Sequence, residues 1–188
     1  MVNYYDDPKN VADYIQMAEG YNGEELIQLL REVLPSGSTV LELGMGPGVD
    51  LDLLAVHYNV TGSDRAQPFL DRYRLAHPQA DLLLLDAVTL DTQRRFDAIY
   101  SNKVLHHLTR TELADSFLRQ ADLLPPGGVI VHSFWYGDNE EEYPGMLAVY
   151  YTESTLTLAL GPVYEILKMT RYAEMDEGDS LVCVCRKR

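Results

Sequence analysis

Residues 40–50 read VLELGMGPGVD, with Gly44, Gly46 and Gly48 at alternate positions straight after an apolar run. A simple turn needs one such residue. A backbone that must lie against a ligand needs several, because glycine permits close approach and lets N–H groups aim at the bound molecule. TVLELG (39–44) reads as a buried strand and residues 49–57 as a helix, so the glycines fill a strand-to-helix loop. In an open α/β sheet, ligands bind at that end of the strands. The spacing is G-x-G-x-G, and Val49 stands where a dinucleotide fingerprint would carry its third glycine.

The same alternation continues outward. EELIQLLREVL (24–34) places Leu26, Ile27, Leu30, Val33 and Leu34 on one helical stripe, which PSGS stops. Strands are expected at 59–64, 80–86, 96–101 and 129–135, and helices at 67–76 and 110–124. Strands alternating with helices, apolar on both faces, predict an open parallel sheet wound by helices. Past Trp135 the order changes. TESTLTLAL (152–160) reads as a helix capped by Thr152, with Thr155 three residues on. VYEILKMTRYAEM and DSLVCVCRKR then read as two strands joined by DEGD, which makes the sheet mixed.

Composition bounds the function. At 188 residues the chain is expected to form one domain around a substantial core. Its net charge of −14 repels phosphate backbones, which argues against a nucleic-acid partner. No apolar run approaches the length of a membrane helix, and the N-terminus lacks a leader pattern. The two cysteines, Cys183 and Cys185, fall on one face of a strand as core residues, which suits a reducing, cytoplasmic setting. Nothing in the sequence speaks to oligomeric state.

Three acids mark strand ends: Glu42 before the glycines, Asp64 after the second strand and Asp86 after the third. With these in place the chain resembles the class I S-adenosylmethionine-dependent methyltransferases. VLELGMGPG is similar to their first motif, VTGSD to the acidic ribose site and LLLLDAVTL to the adenine-contacting segment. FDAIYSNKVLHHL and LLPPGGVIVHSF are similar to the fourth- and fifth-strand motifs. The resemblance covers residues 24–188. It implies a doubly wound, Rossmann-like α/β fold with a seven-stranded mixed sheet of order 3-2-1-4-5-7-6, the seventh strand antiparallel. Residues 1–23 would form an N-terminal lid carrying Tyr14 and Tyr21.

The resemblance also implies roles. Gly44, Gly46 and Gly48, with Met45 between them, would pass the methionine part of S-adenosyl-L-methionine. Glu42 would brace the loop or reach the donor ammonium through water. Asp64, beside Arg65, would accept the ribose hydroxyls. Asp86 and the Ala87 backbone would read the adenine edge, and Asn102 and Lys103 would contact the methionine portion. SNKV is not the Asn/Asp-Pro-Pro-aromatic loop of many base and amide N-methyltransferases. Ser101 or Asn102 stands where metal-dependent relatives carry an aspartate, so no metal is expected.

The chemistry left is in-line displacement at a sulfonium methyl, driven by alignment and exclusion of water. Candidate bases are His106, His107, His132 and some of the 13 tyrosines. The resemblance favours His106 toward the methyl, with His107 as a structural neighbour. The segment 134–145, FWYGDNEEEYPG, would border the acceptor, and a small molecule is the expected acceptor because no large insertion is present. A non-catalytic donor-binding module of the same fold is the alternative. A nicotinamide oxidoreductase is disfavoured by the glycine spacing.

Overall fold

The computed structural model describes residues 4–188. Among the described residues nine strands occur in chain order: β1 (Thr39–Leu43), β2 (Asn59–Asp64), β3 (Leu82–Leu84), β4 (Ala98–Asn102), β5 (Val129–Trp135), β6 (Glu140–Tyr143), β7 (Met146–Val149), β8 (Tyr164–Tyr172) and β9 (Ser180–Lys187). Seven build one sheet in the order β3-β2-β1-β4-β5-β9-β8. The first five run parallel, and β9 pairs antiparallel with both β5 and β8. This is the expected order, with β8 and β9 as its sixth and seventh strands.

Side chains alternate across the sheet and so build two cores. Leu41, Leu43, Ile99, Ile130 and Phe134 face α5 (Arg110–Leu123) and α6 (Glu153–Leu160), where Leu113, Phe117 and Leu156 pack. Val40, Ala98, Tyr100, Val129 and Val131 face α2 (Glu24–Val33) and α3 (Val49–Ala55), through Leu26, Ile27, Leu30 and Leu54. Cys183 and Cys185 are free, buried thiols on the α5 side. Leu30 is wholly buried, and its truncation to alanine is worth about 2–5 kcal/mol.

Two elements were not visible in the sequence pattern. α1 (Pro8–Met17) lies before the sheet, capped by Asp7, and packs on α4 (Gln67–Ala76) through Val11, Ala66 and Phe69. The hairpin β6–β7 occupies the segment after β5 and forms its own two-stranded sheet. The third strand is shorter than the expected 80–86. After Leu84 the chain turns because Asp86 Oδ1 accepts from Val88 N at 2.8 Å and Thr89 N at 3.2 Å. The reading of α6 matches in detail: Thr152 and Thr155 form a reciprocal capping box.

Candidate donor and acceptor site

The loop after β1 is pinned from two sides. Met45 N donates to Ser63 O at 2.8 Å, and Gly46 N donates to Asp64 Oδ2 at 3.0 Å. Gly44, Gly46 and Gly48 all hold positive φ (67°, 49° and 91°). They differ in what lies opposite. A Cβ on Gly44 would stand 2.5 Å from a Val104 methyl, and one on Gly48 2.3 Å from the Tyr73 ring. These two glycines admit neighbouring protein. On Gly46 the nearest atom would be a Tyr14 ring carbon at 3.6 Å, so this residue fronts the open space under α1. Met45 turns its side chain away, buried among Leu51, Leu70, Tyr73 and Leu82.

One cavity opens beyond Gly46, walled by Asp64, Arg65, Asp86, Ala87, His107 and Leu108. Tyr5, Tyr14 and Phe69 roof it and meet one another edge-on or tilted, with ring centroids 5.4–5.9 Å apart. Asp64 is buried, and its Oδ1 accepts from Ala66 N at 2.8 Å. Each of its oxygens keeps a lone pair for a ligand hydroxyl. Burial raises its pKa above the usual aspartate value, while the backbone hydrogen bonds of Ala66 and Gly46 oppose that rise. Asp86 is exposed at the rim.

A second cavity continues from Gly44 and Gly46 past Glu42, Asp50, Asn102 and Lys103. Glu42 is buried and its Oε2 has no hydrogen-bond partner. Burial first, then the charges of Asp50, Asp64 and Asp52, hold its carboxyl well above the usual carboxylate range. A ligand ammonium would supply the missing counter-charge. Tyr21 stands half-exposed at the rim of this cavity.

Asp50 and Glu174 were not singled out in the sequence. Asp50 accepts from Gly23 N at 2.7 Å, Tyr100 OH at 2.7 Å and Asn102 Nδ2 at 3.2 Å, tying the N-terminal segment to the end of β4. Its signal was a carboxylate in the first turn of α3, where the helix favours negative charge. Asn102 Oδ1 accepts from Ser133 Oγ at 2.6 Å, and that hydroxyl accepts from Lys103 N at 2.9 Å. Lys103 holds a left-handed φ of 53° at the wall that both cavities share. There Nζ donates to Ser180 Oγ at 2.6 Å, pairs with Glu174 Oε2 at 3.1 Å and lies 3.4 Å above the Trp135 ring. Burial lowers its pKa below the usual lysine value, against the pull of Glu174.

The histidines are arranged differently from expectation. Leu105–His107 form a 3₁₀ turn, with three residues per turn. It is His107 that lines the first cavity, and its Nδ1 donates to Leu147 O of β7 at 2.6 Å. His106 is buried against Trp135, at a centroid distance of 6.4 Å, with Nδ1 unpartnered. Burial holds His106 well below the ordinary histidine value, so it is neutral at pH 7. His132 lies inside the sheet, bonded to Ser101 Oγ at 2.7 Å and Gln120 Oε1 at 2.8 Å, and burial pushes it down to about 3. It is a structural residue. Among the described residues no cluster of three or more His, Cys, Asp or Glu side chains is placed to hold a metal ion.

Residues 40–128 match a family model described as a methyltransferase domain. Trans-aconitate 2-methyltransferase of Methylobacterium radiotolerans is 34% identical over 105 residues, 54% of this chain and 40% of that protein. Its namesake from Variovorax paradoxus is 36% identical over 118 residues, 61% and 44% of the two chains. The match thus spans less than half the length of these relatives. Among solved structures, the 1,6-didemethyltoxoflavin-N1-methyltransferase of Burkholderia thailandensis, with bound S-adenosylhomocysteine, superposes with a TM-score of 0.77 at 22% identity, covering 94% of this chain and 86% of that one. The residues here fit such a donor: Glu42 has an unpartnered buried oxygen, Asp64 has free lone pairs and Gly46 leaves an open backbone. Residues 40–128 thus match a methyltransferase domain, and the sheet that carries it has the Rossmann-like fold of the solved S-adenosylmethionine-dependent methyltransferase it superposes on.

Proposed function

We propose that the chain transfers a methyl group from S-adenosylmethionine to a small-molecule acceptor. One observation carries this reading: the two cavities share Tyr14, Gly44, Gly46 and Lys103, and so form one elongated site. Asp64 and Asp86 bracket its nucleoside end, and Glu42 and Asn102 its amino-acid end. When bound, the donor supplies an electrophilic sulfonium methyl. The chain's own residues bind, orient and keep water out. Gly46 offers backbone, Asp64 accepts hydroxyls, and Tyr5 and Tyr14 on the N-terminal segment cover the site as a lid. Alignment of this kind accounts for much of a displacement's rate. His106, the base expected from the resemblance, is neutral and buried but lines neither cavity, so the proposed transfer rests on alignment.

A surface of net charge −14 weighs against nucleic acid as the acceptor. Trans-aconitate, for which two relatives are named, is not carried over to this chain, since carboxylates line the approach to the cavity. Two free, buried cysteines accord with a cytoplasmic setting, and no helix among the described residues is long and apolar enough to cross a membrane. The test is incubation with isotopically labelled S-adenosylmethionine and a metabolite extract. Release of S-adenosylhomocysteine with a labelled product supports transfer. Donor binding without any product would leave a donor-binding module.

A further inference from the structure

The segment after β3 that walls the first cavity is gripped from behind by α5, and we propose that Ser116, Gln120 and Arg119 of that helix are positioning residues for adenine recognition. The proposal rests on the donor-site reading above. Asp86 and Ala87 line the cavity, and the chain around them is tied down. Asp86 O accepts from Leu90 N at 2.9 Å, while Asp86 Oδ1 accepts from Val88 N and Thr89 N. Leu90 is wholly buried at a φ of 43°, a left-handed conformation that a leucine keeps only where its surroundings enforce it. Arg119 supplies part of that enforcement. Its Nε donates to Thr89 O at 3.2 Å, and its Nη2 to Leu90 O at 3.1 Å and Thr92 O at 2.7 Å. Among the described residues the Ala87 N–H and the second Asp86 oxygen stay unpaired, a donor beside an acceptor. That order complements adenine, whose ring nitrogen accepts beside a donating amino group. It opposes hypoxanthine, whose ring N–H lies beside a carbonyl.

The second grip is a chain of buried side chains that ends on Ala87. Ser116 Oγ donates to Ala87 O at 2.6 Å. A carbonyl only accepts, so this contact sets the direction of every bond behind it. Ser116 Oγ must then accept from Gln120 Nε2, at 3.1 Å. The Gln120 carbonyl oxygen therefore faces His132, whose Nε2 donates to it at 2.8 Å. The neutral His132 ring has one N–H, so its Nδ1 accepts from Ser101 Oγ at 2.7 Å. All four donors point the same way, and hydrogen bonds in such a chain strengthen one another. Ser101, Ser116, Gln120 and His132 are wholly buried, so water does not compete for any link. The two peptides that flank Ala87 are thus both held by their carbonyls, one on Leu90 N and the other on Ser116 Oγ. The Ala87 N–H is left with a single orientation, fixed from the α5 side of the sheet.

The experiment titrates S-adenosylhomocysteine and its hypoxanthine counterpart, S-inosylhomocysteine, into the full chain by calorimetry. The parent is expected to prefer adenine by about 10–100-fold, the discrimination of a well-placed donor and acceptor pair. Ser116→Ala and Arg119→Ala, one buried and one half-buried, should each lower that preference several-fold, through weaker binding of the adenine compound. Arg119→Ala carries the test alone if the buried variant does not fold. Leu118→Gly loosens α5 from its exposed side and is the control for a purely structural effect. Its melting temperature should fall while its preference stays parental. Ser116→Ala and Arg119→Ala chains that melt lower but keep the parental preference would overturn the proposal. So would a preference lost equally in Leu118→Gly, or a parent that binds both compounds alike. No binding of either compound to the parent would contradict the donor site itself, and the proposal with it.

Discussion

Gly46 N donates to Asp64 Oδ2 across 3.0 Å, so the acid expected to hold the donor's ribose also holds the glycine loop. Asp64→Ala therefore removes two things at once. Donor affinity is expected to fall by about 1–3 kcal/mol through lost charge-assisted hydrogen bonds. The melting temperature should fall as well, because Gly46 N and Ala66 N both lose their acceptor. Calorimetry and a thermal melt measure the two effects separately. An unchanged dissociation constant would assign Asp64 to the loop alone.

Glu42 predicts a proton signature. Its folded pKa lies above the unfolded value, so its neutral form stabilises the free protein at low pH, and that contribution is lost as pH rises through the folded value. An ammonium placed beside it favours the charged form. Donor binding should therefore release a proton, seen as a binding enthalpy that depends on the ionisation heat of the buffer. Glu42→Gln should abolish the dependence. Identical enthalpies for the parent protein in all buffers would remove Glu42 from the donor site.

His107 joins the donor cavity to the β6–β7 hairpin through Leu147 O. His107→Ala is expected to weaken donor binding and to speed amide exchange across Met146–Val149. His106→Ala, next to it, leaves that exchange slow. If turnover of His106→Ala falls about 10²–10⁴-fold at near-parental donor affinity, His106 acts as the base; near-parental turnover leaves alignment alone.

His132 predicts an acid-side loss of stability. Its folded value of about 3 lies below the unfolded 6.5, so the unfolded chain binds the extra proton between them. Stability from this group is full above pH 6.5 and declines as pH falls toward 3. The buried His106 and His107 act in the same direction. His132→Gln should flatten the melting-temperature profile below pH 6.5, and an unaltered slope would show that His132 charges without cost.

The strands and the glycine loop were legible because both are local in sequence, while the order of the strands came from the family resemblance. Each strand carries its own apolar pattern, and Gly44–Gly48 carry their own spacing. Thr152 with Thr155 was legible for the same reason. The rest depended on contacts between distant segments. Asp50 gains its meaning only when Gly23 and Tyr100 arrive beside it, and Glu174 only when Lys103 does. The two histidines were assigned from the resemblance, whereas a 3₁₀ turn and the Leu147 carbonyl set their directions. The β6–β7 hairpin went unseen because its first strand, Glu140–Tyr143, is acidic and exposed, without the alternation that marks a half-buried strand.

The central claim is that the space between Gly46, Asp64 and Glu42 binds S-adenosylmethionine. Its most direct test is calorimetric titration of S-adenosylhomocysteine into the parent chain and into Gly46→Val, whose side chain would project toward Tyr14 from a left-handed backbone. Saturable one-to-one binding in the parent, lost in a variant that still melts cooperatively, is the predicted result. No binding to the parent chain, or equal affinity in both, would contradict it.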